Sequence, residues 1–373
     1  MSTRLADLRI AMVTPRFLPH MGGIETHVDE VSRRMLGRGL DVSVLTTETE
    51  PSLVGDETRH GVPVRRYRSY PRNRDYYVSL PLTRALTRSS FDLVHIQGVH
   101  TFVAPLALAQ ARRQRMPTIL TFHTGGHSSR LRNLGRRLQW GTLAPLLRQV
   151  DSLVAVCDYE LDYFAEALRL PRSRFAVIRN GSEPLPVAPA PSCTLSGDPL
   201  VLSVGRLERY KGHHRVIQSI PHLVRRAPGV HVAIVGSGPF EAELRALVRA
   251  LRVDERVSFV SFGPAQRPEL GALVARSDVV TLLSEYEAHP VAVMEAVALG
   301  TPVVVADTSG LSELSRIDLV HPVPLDAPPR EVAAALLQAR GVARAPDRSA
   351  LPSWDDCVDQ LLDTYERTLS CAS

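Results

Sequence analysis

Short apolar runs recur along this chain, separated by stretches whose apolar positions fall at helical spacing. Leu8-Arg-Ile-Ala-Met-Val-Thr14 reads as a strand of the parallel kind, buried on both faces. The loop Pro15–Gly23 follows and ends in Gly22 and Gly23. Ile24, Val28, Val31 and Met35 then mark one face of a helix closed by Gly37 or Gly39, and Asp41–Thr46 is the next strand. Such a βαβ unit puts its glycine loop at the carboxyl end of the first strand, where open α/β sheets bind ligands. The glycines allow close backbone approach and the helix start offers N–H groups to an anion, although a tight turn alone would use the same pair.

Further strands are expected at Val62–Tyr67, Asp92–Ile96, Thr118–His123, Ser152–Cys157 and Phe175–Ile178. After Asn180-Gly181, Pro184-Leu-Pro-Val-Ala-Pro-Ala-Pro191 reads as a proline-stiffened linker. Alternation then restarts with strands at Leu200–Val204, His231–Val235, Val257–Val260, Val279–Leu283 and Pro302–Ala306. The pattern predicts two α/β layer domains, residues 1–185 and 186–352, with a last helix within 353–373. Two such domains joined by one linker imply a cleft suited to a ligand.

Composition narrows the class. Of 373 residues 44% are hydrophobic, ample for packed cores, and no apolar run approaches the ~20 residues of a membrane helix. Asp7 and Arg9 interrupt the stretch ahead of Ile10-Ala-Met-Val13, against a signal peptide. Cys157, Cys193, Cys357 and Cys371 form no CxxC pair, which suits reduced thiols in a cytoplasmic protein rather than disulfides or zinc.

The net charge of +5 splits into +9 over residues 1–183 and −4 over the remainder. A basic first half suits an anionic substrate or a peripheral contact with anionic lipid at the inner face of a membrane; solvated arginines explain it equally. Arg65–Tyr77 interleaves basic and aromatic residues, but no nucleic-acid-binding pattern accompanies it, so a solvated loop near an acceptor entrance is expected and no nucleic-acid partner. Arg130–Arg148, with Trp140, could rest on a membrane surface or be an ordinary surface helix.

The candidate chemistry begins with a rarity: 43 arginines accompany a single lysine, Lys211. It lies in Val201-Leu-Ser-Val-Gly-Arg-Leu-Glu-Arg-Tyr-Lys-Gly212, with Arg206 just after the glycine that ends an apolar run. A planar guanidinium fork and a compact ammonium on either side of a turn suit a charged group. A second constellation is Leu282-Leu-Ser-Glu-Tyr-Glu-Ala-His-Pro-Val-Ala-Val-Met-Glu-Ala-Val-Ala-Leu-Gly-Thr-Pro302. Pro290 suits the first turn of a helix, and Gly300 with Pro302 its end. Glu287 then precedes the helix, and Glu295 is the only charge in Val291–Leu299. A carboxylate on so apolar a helix is expected to be paired or bound. Ionised carboxylates only accept hydrogen bonds, which suits sugar or ribose hydroxyls. With the two cations and the helix start, they compose a receptor for a sugar diphosphate.

His123, closing its strand beside Gly125-Gly126, is placed for catalysis or ligand contact, or is a hydrogen-bonded structural histidine. Glycines between His123 and His127 argue against a helix-borne metal pair, and first-turn acids explain Asp158-Tyr-Glu160-Leu-Asp162, so no metal site is expected. Gly236-Ser-Gly238 lacks the third glycine of a dinucleotide fingerprint, Glu241 standing there. Tyr210 before Lys211 excludes a P-loop, and no Gly-x-Ser-x-Gly elbow is present.

Gly205-Arg-Leu-x-x-x-Lys-Gly212, Glu287-x7-Glu295-Ala, Gly300-Thr-Pro302, Gly22-Gly-x-Glu25 and Asn180-Gly181 together strongly resemble the retaining GT-B glycosyltransferases of family 4, over nearly the whole chain. The resemblance implies two Rossmann-like α/β/α domains facing each other across a cleft, with the last helix crossing back to the first. It implies a nucleoside diphosphate sugar as donor substrate, with no cofactor and no metal. Arg206 and Lys211 would hold the diphosphate, Glu287 the transferred sugar, and Glu295 the ribose. Gly22 and Gly23 would lie near the phosphates and acceptor, His123 would face the reacting sugar, and His289 and Val291 would complete the donor-binding set. The chain departs from the family in writing Glu287-Ala-His-Pro290 for Glu-Gly-Phe-Gly, which removes a backbone donor and bears on sugar identity. Transfer to a glycan, lipid-linked or small-molecule hydroxyl is the expected activity. An epimerase or phosphorylase of this fold, or a non-catalytic nucleotide-sugar-binding subunit, would use the same cleft.

Overall fold

The longest apolar runs become the central strands of two separate sheets. The computed structural model describes residues 8–71, 77–88, 90–123, 130–340, 342 and 350–372, with the backbone alone for 130–138 and 372, and the chain divides into two units.

The first unit contains β1 (Arg9–Thr14), α1 (Gly23–Gly37), β2 (Asp41–Glu48), β3 (Gly55–Arg59), β4 (Val62–Arg68), α2 (Leu80–Arg88) and β5 (Leu93–Gln97). It continues with α3 (Val103–Arg113), β6 (Thr118–Thr121), α4 (Arg130–Leu147), β7 (Ser152–Ala155), α5 (Asp158–Leu168) and β8 (Phe175–Val177). The strands stand in the order β3-β4-β2-β1-β5-β6-β7-β8, parallel except for β3. Ile10, Ala11, Met12 and Val13 are wholly buried, as a strand covered on both faces requires. Ile10 stands between Val42 of β2 and Leu93 of β5.

The second unit, Ser182–Pro352, contains β9 (Leu200–Val204), α6 (His213–Arg226), β10 (His231–Val235), α7 (Glu241–Leu251), β11 (Val257–Val260) and α8 (Arg267–Arg276). Then come β12 (Val279–Leu282), α9 (Val291–Ala298), β13 (Val303–Ala306), α10 (Ser309–Arg316), β14 (His321–Val323) and α11 (Pro329–Ala339). Its sheet is parallel, in the order β11-β10-β9-β12-β13-β14. Alternate residues of β9 serve opposite faces: Val201 packs with Ile217 and Leu336, Leu202 with Leu273 and Met294. The last helix, α12 (Trp354–Ala372), belongs to the first unit and packs on α1. Arg38, the C-cap of α1, pairs with Asp355, at 2.8 Å, and with Asp359.

Both sheets change direction beside their first strand: β1 lies between β2 and β5, and β9 between β10 and β12. The carboxyl ends at such a reversal form the crevice where open α/β sheets receive ligands.

Several expectations change in detail. The strand expected over Thr118–His123 stops at Thr121, and His123 takes a left-handed conformation with φ 49°. Cys157 does not extend β7; its Sγ accepts from the Glu160 N–H, while the buried Glu160 carboxylate accepts from the Val156 N–H at 2.8 Å. That reciprocal cap, more than the helix dipole, explains an acid at position 160. β3 and β14 escaped the hydrophobic pattern because Gly-Asp-Glu-Thr-Arg is polar and exposed, and His-Pro-Val is three residues of edge strand. The proline-stiffened linker Pro184–Pro191 is also fastened: Leu185 is buried beside Leu273, and Ala188 N–H donates to the Pro268 carbonyl of α8 at 2.9 Å. Of the two basic stretches, residues 72–76 and the side chains of 130–138 lie outside the described residues, as do Gly125, Gly126 and His127.

Candidate active site

In the second unit, β9 empties into a loop that carries Arg206, makes a short 3-10 turn at Arg209–Lys211 and enters α6 through Gly212. Gly212 has φ +77°, and a Cβ there would fall inside the Leu283 carbonyl, so this loop and the one after β12 press together where only glycine fits. Two backbone groups join them further: Glu285 N–H donates to the Tyr210 carbonyl at 2.7 Å. His213 secures the first loop from below. Its Nδ1 lies 2.8 Å from Ser203 Oγ and its Nε2 3.1 Å from the Arg206 carbonyl. Burial pulls its pKa down to about 4, so a neutral ring donates to that carbonyl and accepts from the serine.

This arrangement brings Lys211 and Glu287 together, their side chains 16% and 10% exposed. Lys211 Nζ donates to Glu287 Oε1 at 2.6 Å, and Ser284 Oγ donates to the same oxygen at 2.7 Å. Burial lowers the Lys211 pKa, but the Glu287 carboxylate and its hydrogen bond outweigh that cost and the ammonium ends above its ordinary value. Glu287 is fixed in turn by the start of α10: its N–H donates to Ser309 Oγ at 2.8 Å and its carbonyl accepts from Gly310 N–H at 2.9 Å. A Cβ on Gly310 would fall inside the Ala288 carbonyl. The loops after β9, β12 and β13 are thereby locked around one ion pair at the sheet reversal.

The remaining expected residues are placed differently. Arg206 is half exposed and pairs with Glu208 at 2.8 Å instead of approaching Lys211's carboxylate. Glu295, buried on α9, is paired with Arg267 at the start of α8. Pro290 immediately precedes α9 and its carbonyl accepts from Val293 and Met294, while His289 and Val291 are buried at the helix entrance. Gly236 is a packing glycine: a Cβ there would strike the Gly205 carbonyl.

The first unit holds Gly22, Gly23 and His123. Gly22 precedes α1 in extended conformation, and the Glu25 carboxylate folds back over it, an acid at the positive end of the helix. His123 Nε2 lies 2.7 Å from Gln97 Oε1 at the end of β5, and its ring meets the edge of His27 at 4.5 Å. His27 Nδ1 lies 2.9 Å from Asn180 Oδ1. Burial drives His27 down to about 4 despite Asn180; burial and neighbouring histidines hold His123 well below its ordinary value, so both are neutral near pH 7. Sequence reasoning missed Ser284, Ser309, Arg267, His213 and Gln97. Polar residues at strand ends were the available signal for Gln97 and Ser284; nothing local marks the others. Among the described residues no group of three or more His, Cys, Asp or Glu is arranged to hold a metal ion.

Two doubly wound α/β units, the second with the Lys211–Glu287 pair at its sheet reversal, are the frame of a GT-B glycosyltransferase that uses a nucleotide sugar, and it is comparison with known proteins that shows this class. Residues 21–184 match Glycosyltransferase Family 4 and residues 192–317 match Glycosyl transferases group 1. The chain is 31% identical over 333 residues to glycogen synthase from Mycobacterium tuberculosis, covering 82% of this chain and 80% of that one. It is 29% identical over 388 residues to phosphatidyl-myo-inositol mannosyltransferase from Mycolicibacterium smegmatis, covering 96% and 94%. Sucrose-phosphate synthase from Thermosynechococcus elongatus shares the fold, with a TM-score of 0.76 at 20% identity, covering 98% of this chain and 100% of that one. The protein belongs to the family 4, group 1 glycosyltransferases.

Proposed function

We propose that the protein transfers a sugar from a nucleoside diphosphate sugar to a hydroxyl of a glycan, lipid-linked or small-molecule acceptor, with retention of anomeric configuration. The observation that carries this is the Lys211–Glu287 pair at the reversal between β9 and β12. Lys211 and Arg206 take the diphosphate, Glu287 accepts from hydroxyls of the transferred sugar, and Glu295 accepts from the ribose. As the bond from the anomeric carbon to phosphate oxygen breaks, negative charge gathers on the departing diphosphate, where fixed cations stabilise it most. The acceptor oxygen bonds to the same face of the sugar, and its proton passes to the departing phosphate oxygen. Relatives named for glycogen and for phosphatidyl-myo-inositol support the hydroxyl acceptor as a class.

A thermal-shift panel of UDP-, GDP-, ADP- and dTDP-sugars identifies the donor, because a ligand bound by the native state raises apparent stability. With that donor, Lys211→Ala is expected to lose about 100- to 1,000-fold in turnover while its far-UV spectrum is kept. Near-normal turnover in this variant would overturn the assignment. Because cations already serve the leaving group, chelation by EDTA should leave the rate unchanged; abolition restored by magnesium would place a metal in the reaction.

A further inference from the structure

We propose that Gln97 is a positioning residue that fixes His123 as its Nε2–H tautomer, leaving Nδ1 a lone pair to accept a hydrogen bond from a donor-sugar hydroxyl. The second half rests on the proposed function, with His123 facing the reacting sugar as the family resemblance implies.

The argument starts from atoms that carry no proton. Gln97 Nε2 lies 2.9 Å from Met12 Sδ, and a thioether sulfur accepts but never donates. The amide nitrogen must therefore face Met12, which turns Oε1 toward His123 at 2.7 Å. A carbonyl oxygen is acceptor-only, so the proton between them resides on His123 Nε2. Gln97 Nε2 also lies 3.2 Å from His95 Nε2, which Thr121 Oγ1 approaches at 2.8 Å. With donors facing Nε2, the His95 proton sits on Nδ1, 2.7 Å from the Tyr365 hydroxyl of α12. The Tyr365 hydroxyl in turn lies 3.9 Å from Met35 Sδ, a second acceptor without a proton. Two thioethers thus set the direction of one chain of hydrogen bonds, donated from His123 through Gln97 and His95 to Tyr365 of α12. His95, Gln97 and Tyr365 are fully buried and His123 nearly so, which keeps solvent from reversing the chain. Burial also keeps His123 neutral, with one ring nitrogen free of hydrogen.

The functional consequence is directional. A His123 with hydrogen on Nε2 orients a sugar hydroxyl by accepting from it at Nδ1; the other tautomer would donate there. The test is nitrogen NMR of the full-length protein with ¹⁵N-labelled histidine, the His123 ring being assigned by its absence in His123→Gln. Wild type is expected to show one neutral tautomer with hydrogen on Nε2. Gln97→Met, similar in shape but without the amide acceptor, should give a mixture of tautomers. Gln97→Glu should hold His123 as the imidazolium at neutral pH, because a carboxylate now accepts from Nε2.

With the donor in hand, Gln97→Glu should lose about 10- to 100-fold in kcat at neutral pH and recover as pH rises through the new His123 pKa. Wild type should be flat over that range. Hydrogen on Nδ1 in wild type, or an unchanged single tautomer in Gln97→Met, overturns the proposal. Tautomers that shift as expected while kcat stays at wild-type values overturn the link to the sugar hydroxyl. Failure of the functional assignment shows separately, as turnover retained in Lys211→Ala, because the spectra require no turnover.

Discussion

Lys211 keeps its charge against burial because Glu287 stands 2.6 Å away, and the converse dependence is testable. Removing one partner of a buried pair leaves the other charge uncompensated, which costs about 3–5 kcal/mol. Lys211→Met should therefore lower stability by about that much in urea unfolding followed by far-UV circular dichroism. Adding Glu287→Gln, which removes the stranded charge, should recover most of the loss. Equal destabilisation in the single and double variants would mean that the pair carries no such coupling. At this scale the sequence showed which residues were out of place, not what they touch. A lone lysine among arginines, and one carboxylate on the apolar run Val291–Leu299, stand out by type alone. That the lysine would be paired with Glu287, 76 positions on, and Glu295 with Arg267, 28 positions back, follows only from strand order. Glu295 was expected to be paired or bound, and the structure supplies an arginine that the motif did not include.

At the scale of elements, the site is a set of loops pressed closer than side chains allow. Gly310, the second residue of α10, leaves no room for a Cβ beside the Ala288 carbonyl, in the segment where Glu287-Ala-His-Pro290 departs from the family pattern. Gly310→Ala should push that loop away, cost about 3 kcal/mol or more, and abolish the donor-induced thermal shift. Gly263→Ala offers the contrast, since a Cβ there meets only Gln266 Oε1 at 3.7 Å, and should be nearly neutral in both measurements. A donor shift of wild-type size in Gly310→Ala would show that the loop tolerates displacement. Elements were legible where burial on both faces writes a continuous apolar run, as in β1 and β9. They were illegible where an edge strand is polar, as in β3, or interrupted by proline, as in β14. Pro184–Pro191 reads as a stiffened linker from its prolines; that the Pro186 carbonyl and Leu185 lie against Gly271 of α8 has no local signal. Helix α12 was visible as an element; what it secures, through the Tyr365 hydroxyl on His95, was not.

Across the whole molecule, the buried histidines make stability a function of pH with a definite sign. Burial lowers His27 to about 4, lowers His95 to about 3 and holds His123 well below its ordinary value, all in the first unit. In the unfolded chain each titrates near 6.5. Between those limits the unfolded state holds more protons than the folded one, so unfolding takes up protons and stability falls as pH falls. The contribution is complete above about 6.5 and is lost progressively toward 4, at roughly 1.4 kcal/mol per pH unit for each histidine. Both tryptophans, Trp140 and Trp354, lie in the first unit, so tryptophan fluorescence follows that unit alone. The Trp354 ring meets His27 at 5.8 Å, close enough to report on it directly. Urea midpoints read by fluorescence should fall steeply from about pH 6.5 to 4.5. In His27→Gln the slope should shrink by about 1.4 kcal/mol per unit, one proton's worth. Midpoints flat over this window in wild type, or a slope unchanged in His27→Gln, would mean that the ring is already protonated in the folded state. The neutral tautomer assigned to its neighbour His123 would then need a different physical basis.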